Sequence, residues 1–188
     1  MNSKRNLWMV VTCVAIGLIG CDNGGTPSGD GQKKTGDDDK KVVAAALPAS
    51  LFLTEAPADA IAVPKLKESA KEGDEVTVRV VIGGREAPFV AKRAIMTVVD
   101  SGLANQCLSP DDGCGTPWDY CCASPEQLKP NLATVQFVDG TNATLDVDLS
   151  ASKLKPGSTV VVRGVIGPRP DPDALIINAT GIYVETKS

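Results

Sequence analysis

Two stretches of this chain, residues 73–82 and 157–166, carry the same pattern, Gly-x-x-Val-x-Val-x-x-x-Ile. In the first, Val76, Val78, Val80 and Ile82 alternate with polar or variable positions, and the second repeats the arrangement at the same spacing. Period-two alternation of β-branched residues describes a strand with one buried face. Three further runs complete the set of strands: residues 89–100, 133–139 with 143–149 continuing after a turn at Gly140, and 175–184. Residues 64–71 place Pro64 before good helix formers, which predicts one short helix. No other segment of the domain is long and helical. The expected fold class is therefore all-β: five strands, a short N-terminal helix, and glycines that let a small sheet coil until it closes.

With that pattern in hand, residues 70–186 resemble the OB-fold, and within it the anticodon-binding-like domains. The matching positions are Gly73, Val76 and Val78 in the first strand and Asp100 at the end of the second. In the fourth they are Gly157, Val160, Val162, Gly164 and Ile166. The resemblance implies a five-stranded barrel that binds through strands two and three and the loops after strands one and four. Those loops are residues 83–88 and 167–174.

The N-terminus predicts the compartment. Lys4 and Arg5 precede an apolar run, residues 7–19, that is too short for an ordinary membrane span and has the layout of a secretory signal. It ends in Leu18-Ile19-Gly20-Cys21, which resembles the lipobox of bacterial lipoproteins. That resemblance implies cleavage after residue 20, a diacylglycerol anchor with further acylation (palmitate-type chains) on Cys21, and an extracytoplasmic, membrane-anchored domain on the periplasmic face or cell surface. Several acyl chains suffice to hold a soluble domain on a membrane. From residue 22 to 41 the chain is Gly, Asp, Lys, Ser and Thr with almost nothing apolar, the composition of a flexible tether. The expected organisation is signal 1–20, anchor and tether 21–63, and barrel domain 64–188. Lipobox, tether, barrel and a Trp-Asp-Tyr-Cys-Cys segment together resemble a group of bacterial lipoproteins, a likeness that brings no function with it.

Charge and composition exclude some functions. From Pro64 onward there are 13 basic and 16 acidic residues, so the domain lacks the basic surface that a nucleic-acid backbone needs. Histidine is absent, which removes the commonest general base near neutral pH and the commonest transition-metal ligand.

Between strands two and three lies an insert, residues 101–132, holding Cys107, Cys114, Cys121 and Cys122 with Trp118 and Tyr120. A loop of that length needs a tie, and outside the cytoplasm the default tie is a disulfide. A bridge between neighbouring cysteines is strained, so Cys107 and Cys114 are each expected to join one of the vicinal pair, in either arrangement. Closing a loop of about 15 residues stabilises by about 3 kcal/mol in the chain-entropy model. The alternative is a metal or thiol-redox centre on the same four cysteines. Against it, there is no Cys-x-x-Cys knuckle, adjacent ligands suit a tetrahedral ion poorly, and no cation flanks them to activate a thiol.

Trp118 and Tyr120, with Arg85, Lys92, Arg93 and Arg169 as polar partners, are the candidate ligand-binding residues. The competing reading makes Trp118 the small core of the insert. Asp111, Asp112, Asp171 and Asp173 read as turn residues. The expected function is a non-enzymatic binding or scaffolding module without cofactor beyond its lipid, whose partners are the membrane and an envelope protein, peptide or saccharide.

Overall fold

The computed structural model describes residues 46–108 and 113–186. The signal segment, Cys21 and the tether up to residue 45 lie outside the described residues. Within them, no helix is long and apolar enough to cross a membrane.

The repeated pattern becomes one antiparallel ribbon. Strands β1 (Glu75–Ile82) and β4 (Thr159–Ile166) pair from Glu75↔Val165 to Val81↔Thr159, with Val78 opposite Val162 at the centre. The two leading glycines adopt left-handed backbone, φ 92° at Gly73 and 80° at Gly157, a conformation in which a Cβ is penalised. Each then donates its N–H to the isoleucine that ends the other copy: Gly73 to the Ile166 carbonyl at 2.9 Å and Gly157 to that of Ile82 at 2.8 Å. The sequence repeat is thus a near two-fold ribbon whose ends lock reciprocally.

Strand β2 (Ile95–Asp100) pairs with β1 and with β3 (Leu132–Gln136). Strand β5 (Ile176–Val184) runs antiparallel to β4 and parallel to β3. The order β1-β2-β3-β5-β4 closes into a barrel, so no strand is left with an open edge. The closed five-stranded mixed barrel is compatible with an OB-like fold. Closure is helped where the β4–β5 register shifts between Arg163 and Gly164. There a Cβ on Gly164 would stand 2.5 Å from the Asn178 carbonyl oxygen. Inside, Val78, Val80, Ile82, Met96, Val135, Phe137, Val162 and Ile182 are fully buried.

Several expectations are corrected. Among the described residues the fold is mostly sheet, and the insert contains a second short helix, α2 (Pro125–Asn131), beside the expected α1 (Val63–Ser69). Helix α2 has a reciprocal capping box between Ser124 and Gln127 and a proline at its start, a complete set of helix-start signals. The second strand begins at Ile95, not at residue 89. The chain turns through Lys92, φ 58°, so that Val90 N–H bonds back to the Ile95 carbonyl at 3.0 Å. Residues 143–149 form no strand. Asp139 gathers the backbone N–H groups of Thr141 and Ala143 and leaves only a bridge between Val138 and Thr144.

Residues 46–62, which the sequence left open between tether and domain, run along the barrel. Leu47 joins the core, Phe52 bridges to Ile182, and Leu53 N–H donates to the Ile182 carbonyl at 2.8 Å.

Candidate functional site

The insert starts from Asp100, the one buried charged side chain among the described residues. One carboxylate oxygen accepts the Val63 N–H at 2.7 Å, at the first turn of α1, and the other accepts the Gly102 N–H at 2.8 Å. A charge ending β2 therefore satisfies an orphan donor of the helix and fixes the exit of the insert. Asn105 comes next, donating to the Pro117 carbonyl at 2.7 Å and accepting the Cys107 N–H at 3.0 Å. Cys107 is buried as a result.

Pro117–Asp119 forms a single 3-10 turn, followed by Tyr120 in left-handed backbone, φ 58°. The Trp118 carbonyl accepts the Gly84 N–H at 2.8 Å, and its indole N–H donates to the Glu86 carbonyl at 3.0 Å. Gly83 has no room for a Cβ, which would run into that same Trp118 carbonyl. Trp118 is half-buried as the clasp between insert and β1–β2 loop, while Tyr120 is only 3 % exposed. Burial first, then the Asp100 carboxylate and Cys107, push the Tyr120 phenol above its ordinary range. The two rings line one cleft of about 570 Å³ together with Leu108, Pro117 and Pro156, although Tyr120 itself shows little surface there.

The four cysteines of the insert do come together. Cys121 Sγ lies 3.5 Å from Cys107 Sγ, 3.7 Å from Cys114 Sγ and 3.9 Å from Cys122 Sγ. No disulfide is formed, since every separation far exceeds the S–S bond length of about 2.05 Å. The expected pair of bridges is replaced by a sulfur cluster centred on Cys121. Asp119, which composition offered no reason to single out, completes it. Its carboxylate and the sulfurs of Cys107, Cys114 and Cys121 all lie within 4.8 Å of one another. Asp119 is held in place by the Thr116 hydroxyl and the Cys121 N–H, both at 2.8 Å. Burial works to raise its pKa, but those hydrogen bonds prevail and hold the carboxyl below the usual range. At Cys107 burial is likewise outweighed, chiefly by hydrogen bonds from Cys122 and then from Cys121 and Cys114, and the thiol is lowered. The Cys121 thiol is pushed up by its hydrogen bonds to Cys107 and Asp119.

A second feature includes Lys129 of α2. A cleft of about 510 Å³ opens over Thr97 of β2 and Leu132 and Thr134 of β3. Arg85 of the β1–β2 loop and Asp171 and Asp173 of the β4–β5 loop wall it, with Lys67 and Lys129 at its helical side. Lys129 Nζ meets Asp173 at 2.6 Å, and Lys67 donates to the Lys129 carbonyl at 2.7 Å. Burial lowers the Lys67 pKa, with Asp173 opposing.

Of the expected binding residues, only Arg85 lines this cleft. Lys92 and Arg93 sit on the turn before β2, with Arg93 3.8 Å from Asp146. Arg169 is a clamp: its guanidinium donates to the carbonyls of Ala70 at 2.6 Å, Lys67 at 2.9 Å and Pro172 at 2.6 Å.

Comparison of the chain with protein-family models, with curated proteins and with solved structures returns no match.

Proposed function

We propose that this chain is a non-enzymatic binding module with an OB-like barrel, held at a bacterial cell envelope by lipid on Cys21. Its ligand lies in the cleft over β2 and β3. The observation that carries the reading is positional. The cleft is walled by the β1–β2 and β4–β5 loops above strands two and three, where OB-like barrels take their ligands. Its chemistry then narrows the ligand. Three cations and two carboxylates, Lys129 and Asp173 paired at 2.6 Å among them, surround an apolar floor of Leu132 and Ile176, and no aromatic ring lines it. Stacking platforms serve saccharides and single-stranded nucleic acids, and mixed charge repels a polyanion as much as it attracts one. A peptide segment of an envelope protein, carrying both charge signs and an apolar side chain, fits best.

Peptides of mixed charge, titrated into the protein with backbone amide resonances recorded, test this. Expected shifts centre on Arg85, Thr97, Thr134 and Asp173, and a Thr97→Arg variant that fills the cleft abolishes them. Shifts elsewhere, or binding unchanged by Thr97→Arg, refute the cleft. The anchor is tested separately: labelled palmitate enters the wild-type chain and fails to enter Cys21→Ser.

A further inference from the structure

We infer that Cys107, Cys114, Cys121 and the carboxylate of Asp119 form a binding site for a tetrahedral thiophilic cation, zinc foremost, which braces the insert. A zinc–thiolate bond is about 2.3 Å, so the edge between two sulfurs of a regular tetrahedron is about 3.8 Å. The Cys107–Cys121 and Cys114–Cys121 separations, 3.5 and 3.7 Å, lie close to that edge. All four ligand atoms stand within 4.8 Å of one another, the span of one small ion's coordination sphere. A disulfide gives each sulfur one partner. Cys121 instead has Cys107, Cys114 and Cys122 at almost equal range, as suits sulfurs converging on a common centre.

The adjacent cysteines are no obstacle in this geometry, because Asp119 supplies the fourth ligand. Residues 119 and 121 flank Tyr120, whose left-handed φ of 58° turns the chain between two ligands two residues apart. Cys122 supports Cys107 from outside this set of ligands: its backbone N–H donates to Cys107 Sγ at 3.3 Å, and its side chain hydrogen-bonds the same residue. Hydrogen bonds of that kind orient ligands and tune metal sites, as do those from Thr116 and Cys121 to the two oxygens of Asp119. Asn105 plays the same part at one remove, holding the Cys107 backbone. Cys121 is exposed and Cys114 half-buried, so an ion reaches the site without opening the barrel. Thiolate and carboxylate donors together favour zinc over magnesium or calcium, which take oxygen shells.

The test uses the full chain, purified without reductant or chelator. Native mass spectrometry with elemental analysis is expected to find one zinc per chain. Replacement by cobalt is expected to give the visible absorption of a tetrahedral thiolate site. Cys121→Ser and Asp119→Ala are each expected to weaken cobalt binding at least tenfold, with Cys122→Ser within about twofold of wild type. The wild-type cobalt spectrum reads the site even where a variant folds poorly. Three results overturn the assignment. One is a tryptic fragment carrying all four cysteines that gains four hydrogens on reduction and holds no metal. Another is reduced protein that binds neither ion. The third is a Cys122→Ser loss as large as that of Cys121→Ser with Asp119→Ala unaffected, which makes the site a four-thiolate one.

Discussion

Replacing Asp100 by alanine tests how the insert is rooted. In the folded protein its carboxylate satisfies the N–H of Val63, a residue with no exposure at all, and that of Gly102 in an open turn. Removing it leaves the Val63 donor buried without an acceptor, at a cost of about 1–3 kcal/mol. The Gly102 donor can turn to water, so it adds roughly 0.5 kcal/mol at the low end of a net hydrogen bond. Together the loss is about 1.5–3.5 kcal/mol, a large share of the roughly 5–15 kcal/mol that holds a domain folded. For a domain of this size that corresponds to a fall in Tm of about 6–14 °C. Asp100→Asn keeps one acceptor for Val63 and is expected to fall between, near 1 kcal/mol. Thermal melts by circular dichroism and urea titrations of both variants measure the effect. A shift below about 2 °C for Asp100→Ala refutes the claim that this carboxylate roots helix and insert together.

Gly83→Ala drives a Cβ into the Trp118 carbonyl, where no flexible side chain can yield. It should cost about 1–3 kcal/mol, while Gly115→Ala, with open space around it, is close to neutral. A parallel red shift of indole fluorescence identifies the loosened clasp. Glu185 sits in a two-point ion pair with Arg79, both contacts at 2.7 Å, and Arg79 holds its carboxyl below the usual range. A depressed acid stabilises above its unfolded pKa of about 4.3, and that contribution is lost as pH falls through the folded value. Glu185→Gln should flatten stability between about pH 5 and 3, by under 1 kcal/mol because both groups are part-exposed. Tyr120, raised by burial, should ionise above the ordinary value of about 10 in a Tyr183→Phe background. Ultraviolet titration reads it, and its stabilising share is full below the unfolded value of about 10 and lost as pH rises from there through the folded one.

The barrel was legible where side-chain period and turn glycine agreed. The two copies of the Gly-x-x-Val pattern gave β1 and β4 to the residue, because alternation and φ are local properties. Length was less legible where a turn carried no glycine or proline: Lys92 takes the left-handed conformation itself, and the second strand was read too long. Helix α2 had its signals in Ser124-Pro125-Glu126-Gln127 but is only seven residues, with no apolar face to give a period. The sulfur cluster was legible as a set of cysteines and not as a geometry. Asp119 enters it through a turn at Tyr120 that nothing in its composition required, and Arg169, expected as a polar partner for a ligand, is consumed in capping α1.

The insert and the barrel should open separately. The barrel closes through its own ladders, and the β1–β4 ribbon locks at both ends without help from residues 101–131. The insert holds to it through a handful of polar contacts: Gly84 N–H to Trp118, the Trp118 indole to Glu86, Ser101 N–H to Arg79, Gly102 N–H to Asp100, and at α2 Lys129 to Asp173 and Lys67 to the Lys129 carbonyl. Local openings follow such sparse attachment, with free energies below the global value. The Gly84 amide, whose acceptor belongs to the insert, should therefore exchange with solvent much faster than the Val162 amide in the centre of β4. The cysteine cluster lies wholly on the insert, so restraining it, by metal or by oxidation, should slow Gly84 and leave Val162 unchanged. Equal exchange at the two amides would show that insert and barrel unfold as one unit, and the insert could not then be a separately braced element.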